Sequence, residues 1–204
     1  MPQTLTPAQA WRILRDGNQR FVEGASVHPN QDSARRHELV ASQNPVCVIF
    51  GCSDSRLAAE IIFDLGLGDA FVVRSAGHVI DEAVLGSLEY AIDPLNVPLI
   101  VVLGHDSCGA VTASVEAYET GTMPSGFVRD LVERIMPSVL TAQRNGVTDV
   151  DGTVVEHAKQ AGARLIETSQ TIATAVEEGR TAVLSVCYHL REGKAELVSQ
   201  IGEI

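Results

Sequence analysis

The chain has 204 residues, 45% of them hydrophobic and 20% charged, and this balance excludes intrinsically disordered and collagen-like proteins. The 26 acidic residues outnumber the 15 basic ones, so the net charge of −11 disfavours nucleic acid and anionic membranes as partners. We therefore expect one globular domain over residues 1–204.

The first five residues carry neither the basic nor the apolar stretch of an export signal, and no apolar run reaches the roughly 18 residues of a membrane helix. The four cysteines, at positions 47, 52, 108 and 187, are too few and too widely spaced for a disulfide scaffold. We expect a cytoplasmic protein without nucleic-acid or membrane partners.

An N-terminal helical arm, residues 1–40, precedes the first predicted strand. Thr6 can cap its helix, and Pro7 suits the first helical position. The arm is amphipathic, so it could pack on its own domain or wrap a partner subunit. Residues 45–204 form the predicted α/β core.

Four short runs rich in β-branched residues predict strands. Their apolar residues follow one another without alternation, which is typical of parallel strands buried on both faces. These runs are residues 46–50, 71–73, 99–103 and 182–186. Helical patterns cover residues 34–42, 57–64, 81–92, 110–120, 127–144 and 154–178. This arrangement predicts an α/β fold in which helices flank a mainly parallel sheet.

The first and third runs both end in residues that can carry chemistry. Residues 51–56 read GCSDSR, and residues 104–109 read GHDSCG. Ligands of open α/β sheets bind beyond the carboxyl ends of the strands, where the strand order reverses. We therefore expect both motifs to line one crevice.

Cys52, His105 and Cys108 together form a candidate zinc site. Zinc bonds of about 2.0–2.3 Å to all three would make the first and third strands neighbours, which predicts the strand order 2-1-3-4. Three protein ligands leave one coordination position for water or substrate, as in catalytic zinc sites. A single buried cysteine or histidine usually packs without a metal, but the joint placement of these three favours metal binding.

The same residues carry a resemblance to a known family. Residues 52–56 and 105–109, in this spacing, resemble the motifs of the β-class carbonic anhydrases. Similar segments occur in the same order at residues 17–21, 71–74, 89–91 and 101–105. The resemblance covers nearly the whole chain and implies an α/β zinc lyase, a carbonate dehydratase that interconverts CO2 and bicarbonate.

The resemblance also assigns roles to the site residues. It implies that Cys52, His105 and Cys108 bind one Zn2+ per chain and that Asp54 and Arg56 form a catalytic dyad. Two thiolates and a neutral imidazole balance the charge of zinc, and hydroxide on zinc would attack CO2. Asp54, kept anionic by Arg56, could orient that hydroxide; without a metal the pair would be a helix-start acid and a solvent-facing base. In a second arrangement, favoured at lower pH, Asp54 would itself bind the zinc.

The substrate pocket is implied by the resemblance as well. Gln43 matches a glutamine that hydrogen-bonds bicarbonate, often from the adjoining subunit of a dimer, and Phe71 and Tyr90 match aromatic pocket walls. The backbone N–H of Gly109 could also face the ligand. Core packing is the alternative for the two aromatic residues. Self-association as a dimer or a dimer of dimers is expected.

One position departs from part of the family. Members with a secondary, inhibitory bicarbonate site carry tryptophan three residues before the first zinc cysteine, where this chain has Ile49. Arg74 matches the arginine of that site, but without the tryptophan we expect Arg74 to be structural.

Two other functions fit part of the pattern. A hydrolase of CS2 or COS would share the zinc and dyad motifs and differ in access to the site. A thiol redox sensor or a binding module is less favoured, because Cys52 and Cys108 lack the C-x-x-C spacing of thioredoxin-like sites.

Overall fold

The structure is a computed structural model that describes residues 5–204. The expectation about an export signal rests mainly on residues 1–4, which lie outside the described residues. Within residues 5–204 the chain forms one five-stranded sheet, with strands β1 (Cys47–Cys52), β2 (Ala70–Ser75), β3 (Leu99–His105), β4 (Ala182–His189) and β5 (Lys194–Ile201). The strand order is β2-β1-β3-β4-β5.

The first four strands are parallel, and their order confirms the predicted 2-1-3-4 arrangement. Every residue of β1 and β3 is buried, which explains the continuous apolar runs. β5 was not predicted. It pairs antiparallel with β4 at the sheet edge and is only partly buried, so its mixed sequence gave a weak strand pattern.

Side chains of the central strands alternate between two hydrophobic cores, one on each face of the sheet. Ile49 and Val101 contribute to one core, whereas Phe50 and Val102 contribute to the other. Both faces are therefore covered by helices, as the α/β prediction requires.

Eight α-helices are present within the described residues. They are α1 (Pro7–Val22), α2 (Ser33–Glu38), α3 (Ala59–Ile62), α4 (Glu82–Ile92), α5 (Gly109–Thr120), α6 (Val128–Arg144), α7 (Val150–Thr168) and α8 (Gln170–Glu177). The prediction of one helix over residues 154–178 is wrong, because the helix is interrupted at Ser169, whose backbone is extended. The Ser169 side chain accepts the N–H of Ile172 at 3.2 Å and donates to Glu89 at 2.5 Å, so it caps α8.

Helix α1 packs on its own chain. The Asn18 side-chain amide donates to the carbonyls of Ile62 (3.2 Å) and Gly193 (2.8 Å), and its oxygen accepts the N–H of Ala195 (2.9 Å). Ala10, one of the buried residues of α1, lies in the core. The inner face of the arm therefore belongs to its own subunit, and contact with a partner stays a prediction.

Residues 5–204 contain no helix with the length and apolar character needed to cross a lipid bilayer.

Candidate metal centre

Two neighbouring strands deliver the candidate ligands. Cys52 is the last residue of β1, and His105 is the last residue of the adjacent parallel strand β3. Cys108 follows three residues later at the start of α5. The carboxyl ends of parallel strands meet at the same edge of a sheet, so the three side chains converge there. Their ligand atoms lie within 4.8 Å of one another, and all three residues are buried.

The geometry of this cluster fits a tetrahedral zinc ion. The Sγ atoms of Cys52 and Cys108 are 4.0 Å apart, and two Zn–S bonds of about 2.3 Å at the tetrahedral angle would place them roughly 3.8 Å apart. Nδ1 of His105 lies 2.8 Å from the carbonyl oxygen of Asp106. A carbonyl can only accept, so Nδ1 carries the proton of the neutral ring. Nε2 then presents its lone pair to the cluster, and this buried atom has no hydrogen-bond partner within the described residues.

The electrostatics of the two thiols also favour a cation. A hydrogen bond from Cys108 lowers the pKa of Cys52 against the opposing effect of burial. The same contact, together with burial, raises the pKa of Cys108. Two thiolates this close would repel each other, so without a cation one thiol keeps its proton. A bound divalent metal would let both ionise.

Opposing effects act on the pKa of His105. Burial disfavours its charged form, but the neighbouring thiol of Cys52, the hydrogen-bonded carbonyl of Asp106 and the carboxylate of Asp54 outweigh burial and raise its pKa. The thiol of Cys52, once ionised, and the carboxylate of Asp54 would attract a metal cation just as they attract a proton.

Asp54 and Arg56 form a close ion pair beside the cluster. Nε of Arg56 donates to Oδ1 of Asp54 at 2.9 Å, and the terminal nitrogen donates to Oδ2 at 2.7 Å. The backbone N–H of Arg56 also donates to Oδ1 at 2.9 Å. These hydrogen bonds, the side-chain ones first, hold the pKa of Asp54 far below its usual range. The carboxylate therefore remains an acceptor throughout the neutral range.

Arg74 supports the chain segment that carries the dyad. Its Nε donates to the carbonyl of Cys52 at 2.9 Å, and its terminal nitrogen donates to the carbonyl of Asp54 at 2.6 Å. These contacts agree with the structural role expected for Arg74.

The loop between β3 and α5 is fixed by a residue that the sequence analysis missed. Ser107 adopts a left-handed backbone conformation, with φ of 53°, and its N–H donates to the carboxylate of Asp151 at 2.8 Å. Asp151 lies in the first turn of α7. A carboxylate at a helix start is a common feature, so its sequence position did not distinguish it.

Gly109 begins α5 and lies at an open position. A side chain placed there would meet no other described atom within 4 Å, apart from its chain neighbours and its own helix backbone. The predicted role of its N–H toward a ligand stays a prediction.

Three of the four predicted substrate-binding residues lie at the other end of the sheet. Phe71 pairs with Val48, near the start of β1, and the four-residue step from Val48 to Cys52 spans about 13 Å at the rise of a strand. The ring of Tyr90 is 6.2 Å from that of Phe71. Gln43 precedes β1 and lines a surface cavity together with Tyr90. Within one chain these residues do not contact the cluster of candidate ligands formed by Cys52, His105 and Cys108.

A backbone group that the sequence analysis did not single out contacts a predicted ligand. The N–H of Gly77 donates to Sγ of Cys52 at 3.3 Å. Gly77 lies in the short 3-10 turn Ala76–His78 that follows β2. A glycine two residues after the end of β2 was the available signal, because glycine allows a close backbone approach.

The chain is similar to known carbonic anhydrases in sequence and in fold. The family profile described as carbonic anhydrase matches residues 47–195. The chain is 53% identical to a carbonic anhydrase of Mycolicibacterium smegmatis and 54% identical to carbonic anhydrase 2 of Mycobacterium tuberculosis, strain H37Rv. Each alignment covers 100% of this chain and 98% of the relative. The solved β-carbonic anhydrase of Coccomyxa, in complex with acetazolamide, has a similar fold, with a TM-score of 0.74 at 21% identity over 92% of this chain and 86% of that one.

Proposed function

Because this chain belongs to the β-class carbonic anhydrase family, and is thus a carbonate dehydratase, we propose that it hydrates CO2 at a zinc ion held by Cys52, His105 and Cys108. The observation that carries the proposal is the convergence of these three ligand atoms within 4.8 Å. Two thiolates and one neutral imidazole suit zinc and leave a fourth position open. When bound there, zinc would acidify a water molecule enough to make it a nucleophile near neutral pH.

The Asp54–Arg56 pair provides the orienting group of the proposal. Oδ2 of Asp54 lies 4.0 Å from Nε2 of His105, so the carboxylate borders the open side of the cluster. From there it can accept a hydrogen bond from the attacking oxygen and turn a lone pair toward CO2. Arg56 keeps this carboxylate ionised and holds it in one orientation through two parallel hydrogen bonds.

The same carboxylate is also the proposed fourth ligand of a closed state. Its distance from the cluster is short enough that rotation away from Arg56 would bring it to the metal. The two positions exclude each other, because a carboxylate oxygen on the metal occupies the position that water needs. We expect the closed state at lower pH, where water competes less well as the fourth ligand.

A second copy of the chain completes the proposed substrate pocket. Gln43, Phe71 and Tyr90 lie too far from the metal cluster of their own chain to contact a shared ligand. In a symmetric dimer, the amino end of one sheet would face the carboxyl end of the other. The glutamine amide would then hydrogen-bond bicarbonate, and the aromatic rings would provide the apolar walls that suit CO2.

The remaining features of the proposal concern the whole chain. We propose a single domain over residues 1–204, with a helical arm at 1–40 and a zinc-binding core at 45–204. Two ligand thiols must stay reduced, which suits a cytoplasmic location.

Two measurements on the purified protein test the function. Elemental analysis should find about one zinc per chain, and stopped-flow CO2 hydration should show turnover that a chelator removes and zinc restores. A protein with zinc that turns over CS2 or COS but not CO2 would be the hydrolase alternative. A protein without zinc and without turnover would contradict the proposal.

A further inference from the structure

Gly77 places a hydrogen-bond donor on the sulfur of Cys52 by its backbone alone. Its φ of 63° lies in the left-handed region, and this turns its N–H toward Sγ at 3.3 Å. A Cβ at this position would lie 2.8 Å from Cβ of Ala110 and 2.9 Å from Cδ1 of Ile135. The N–H can therefore approach the sulfur only while residue 77 lacks a side chain and keeps this conformation.

The opposite side of Gly77 is held by His157 of helix α7. Nε2 of His157 lies 3.0 Å from the carbonyl oxygen of Gly77. A carbonyl can only accept, so Nε2 carries the proton and donates it. Burial lowers the pKa of His157 to about 4, so the ring is neutral near pH 7. Nδ1 then carries a lone pair and lies 2.9 Å from the hydroxyl oxygen of Ser138, which is also 3.0 Å from Oε1 of Gln160.

The hydrogen bonds of His157 and Gly77 connect helix α7 to the candidate metal site. The ring of His157 donates to the carbonyl of Gly77, and the N–H of Gly77 donates to Cys52. The ring of His78 packs against that of His157, with 4.4 Å between the ring centroids. His157 is 6% exposed, and Ser138 is 3% exposed. Buried hydrogen bonds of this kind restrict the movement of the Gly77 backbone.

We propose that His157 is a positioning residue for the metal ligand Cys52, acting through the backbone of Gly77. This inference rests on the proposed metal site. A hydrogen bond from a backbone N–H withdraws electron density from a thiolate, so the sulfur donates less charge to a bound metal. The metal then remains a stronger Lewis acid than two unperturbed thiolates would leave it. The same hydrogen bond favours the thiolate over the thiol, which strengthens metal binding at neutral pH.

A matched pair of substitutions separates this role from simple packing. In His157→Gln the side-chain amide can reach the position of Nε2 and still donate to the Gly77 carbonyl. In His157→Asn the amide is one methylene shorter and stays near Ser138, so the contact with Gly77 is lost. Ser185→Ala is the control, because the Ser185 hydroxyl is also buried and donates to a carbonyl of α7, that of Ala158 at 2.9 Å.

Three readouts are measured on full-length protein, together with its thermal unfolding. The first is zinc affinity by competition with a chelator. The second is the thiolate-to-metal charge-transfer band of the cobalt-substituted protein. The third is the midpoint of the pH profile of kcat/KM.

We expect His157→Asn to bind zinc roughly tenfold more weakly, to move the cobalt band to longer wavelength, and to move the pH midpoint upward. His157→Gln and Ser185→Ala should remain close to the wild type. Wild-type values in His157→Asn would overturn the inference, and so would equal losses in all three variants that follow their unfolding temperatures. A wild-type protein without a cobalt–thiolate band would overturn the proposed metal site, and the inference with it.

Discussion

Oδ2 of Asp54 lies 4.0 Å from Nε2 of His105, while both oxygens of the same carboxylate accept hydrogen bonds from Arg56. One carboxylate thus borders the metal cluster and is held away from it by a guanidinium. In the arrangement seen here Asp54 pairs with Arg56, which corresponds to the open form of the proposed site. The proposed catalytic role of the pair depends on this separation.

Asp54→Asn should keep the metal and lose activity. The amide can still accept one hydrogen bond from Arg56, but it carries no charge and is a weaker acceptor for the attacking oxygen. We expect kcat/KM for CO2 hydration to fall by about 100-fold or more, with zinc content unchanged. Asp16→Asn is a suitable control, because Asp16 is exposed and pairs only with its exposed neighbour Arg15 among the described residues. Wild-type turnover in Asp54→Asn would rule out the dyad mechanism.

The three ligand substitutions should behave differently from a change at another buried cysteine. Cys52→Ala, His105→Ala and Cys108→Ala should each lose zinc and activity together, since two remaining ligands hold zinc poorly. Cys187→Ala should keep both. Cys187 is also buried, but its thiol is not part of the cluster. Elemental analysis and stopped-flow assays give the comparison, and loss of zinc from Cys187→Ala would mean that the ligand set is wrong.

Subunit complementation can test whether Gln43 serves the site of a partner chain. A heterodimer that carries Gln43→Ala on one chain and Asp54→Asn on the other should keep about half of its sites if the pocket is shared. The matched control carries both substitutions on one chain and pairs it with a wild-type chain. That heterodimer should have no intact site. Each heterodimer is isolated with two different affinity tags, and the reverse pattern of activity would place Gln43 and Asp54 in the same chain's site.

Asp64 should stabilise the fold in a pH-dependent way. Its buried carboxylate pairs with Arg20 at 2.6 Å and accepts the N–H groups of Val27 and His28 at 3.0 and 2.9 Å. Burial would raise its pKa, but these contacts outweigh burial and lower it. Because the folded pKa lies below the unfolded value of about 3.9, the stabilisation is complete above that pH and is lost as the pH falls through the folded pKa.

Asp64→Asn should therefore lower the free energy of unfolding by about 2 kcal/mol at pH 7. The difference from the wild type should shrink as the pH falls below about 4. Urea unfolding at pH 7 and at pH 3 measures both values. An equal difference at the two pH values would show that the charge of Asp64 is not the source of its effect.

The sequence alone was sufficient to predict the convergence of the three candidate ligands and the central topology. Buried parallel strands need apolar side chains on both faces, so β1, β3 and β4 stand out as continuous apolar runs. The polar residues that follow β1 and β3 stand out against those runs. Joining the two strand ends through one metal then required the 2-1-3-4 order, which the structure confirms.

Elements with little buried surface, or with boundaries set by distant contacts, were not predictable in this way. β5 lies at the sheet edge and depends on pairing with β4 for its conformation. The break at Ser169 depends on a hydrogen bond to Glu89, 80 residues earlier in the chain. Local patterns carry no information about such partners.

For the site itself, the sequence by itself determined which side chains are candidate ligands, and the tertiary structure decided which groups surround them. Cys52, His105 and Cys108 could be predicted as ligands from residue types and spacing, because only a few side chains bind zinc. The tertiary structure alone showed that Gly77 contacts Cys52 and that His157 contacts Gly77, since these hydrogen bonds join residues 25 and 80 positions apart. It also separated Gln43 from the metal cluster of its own chain, because the length of β1 lies between them.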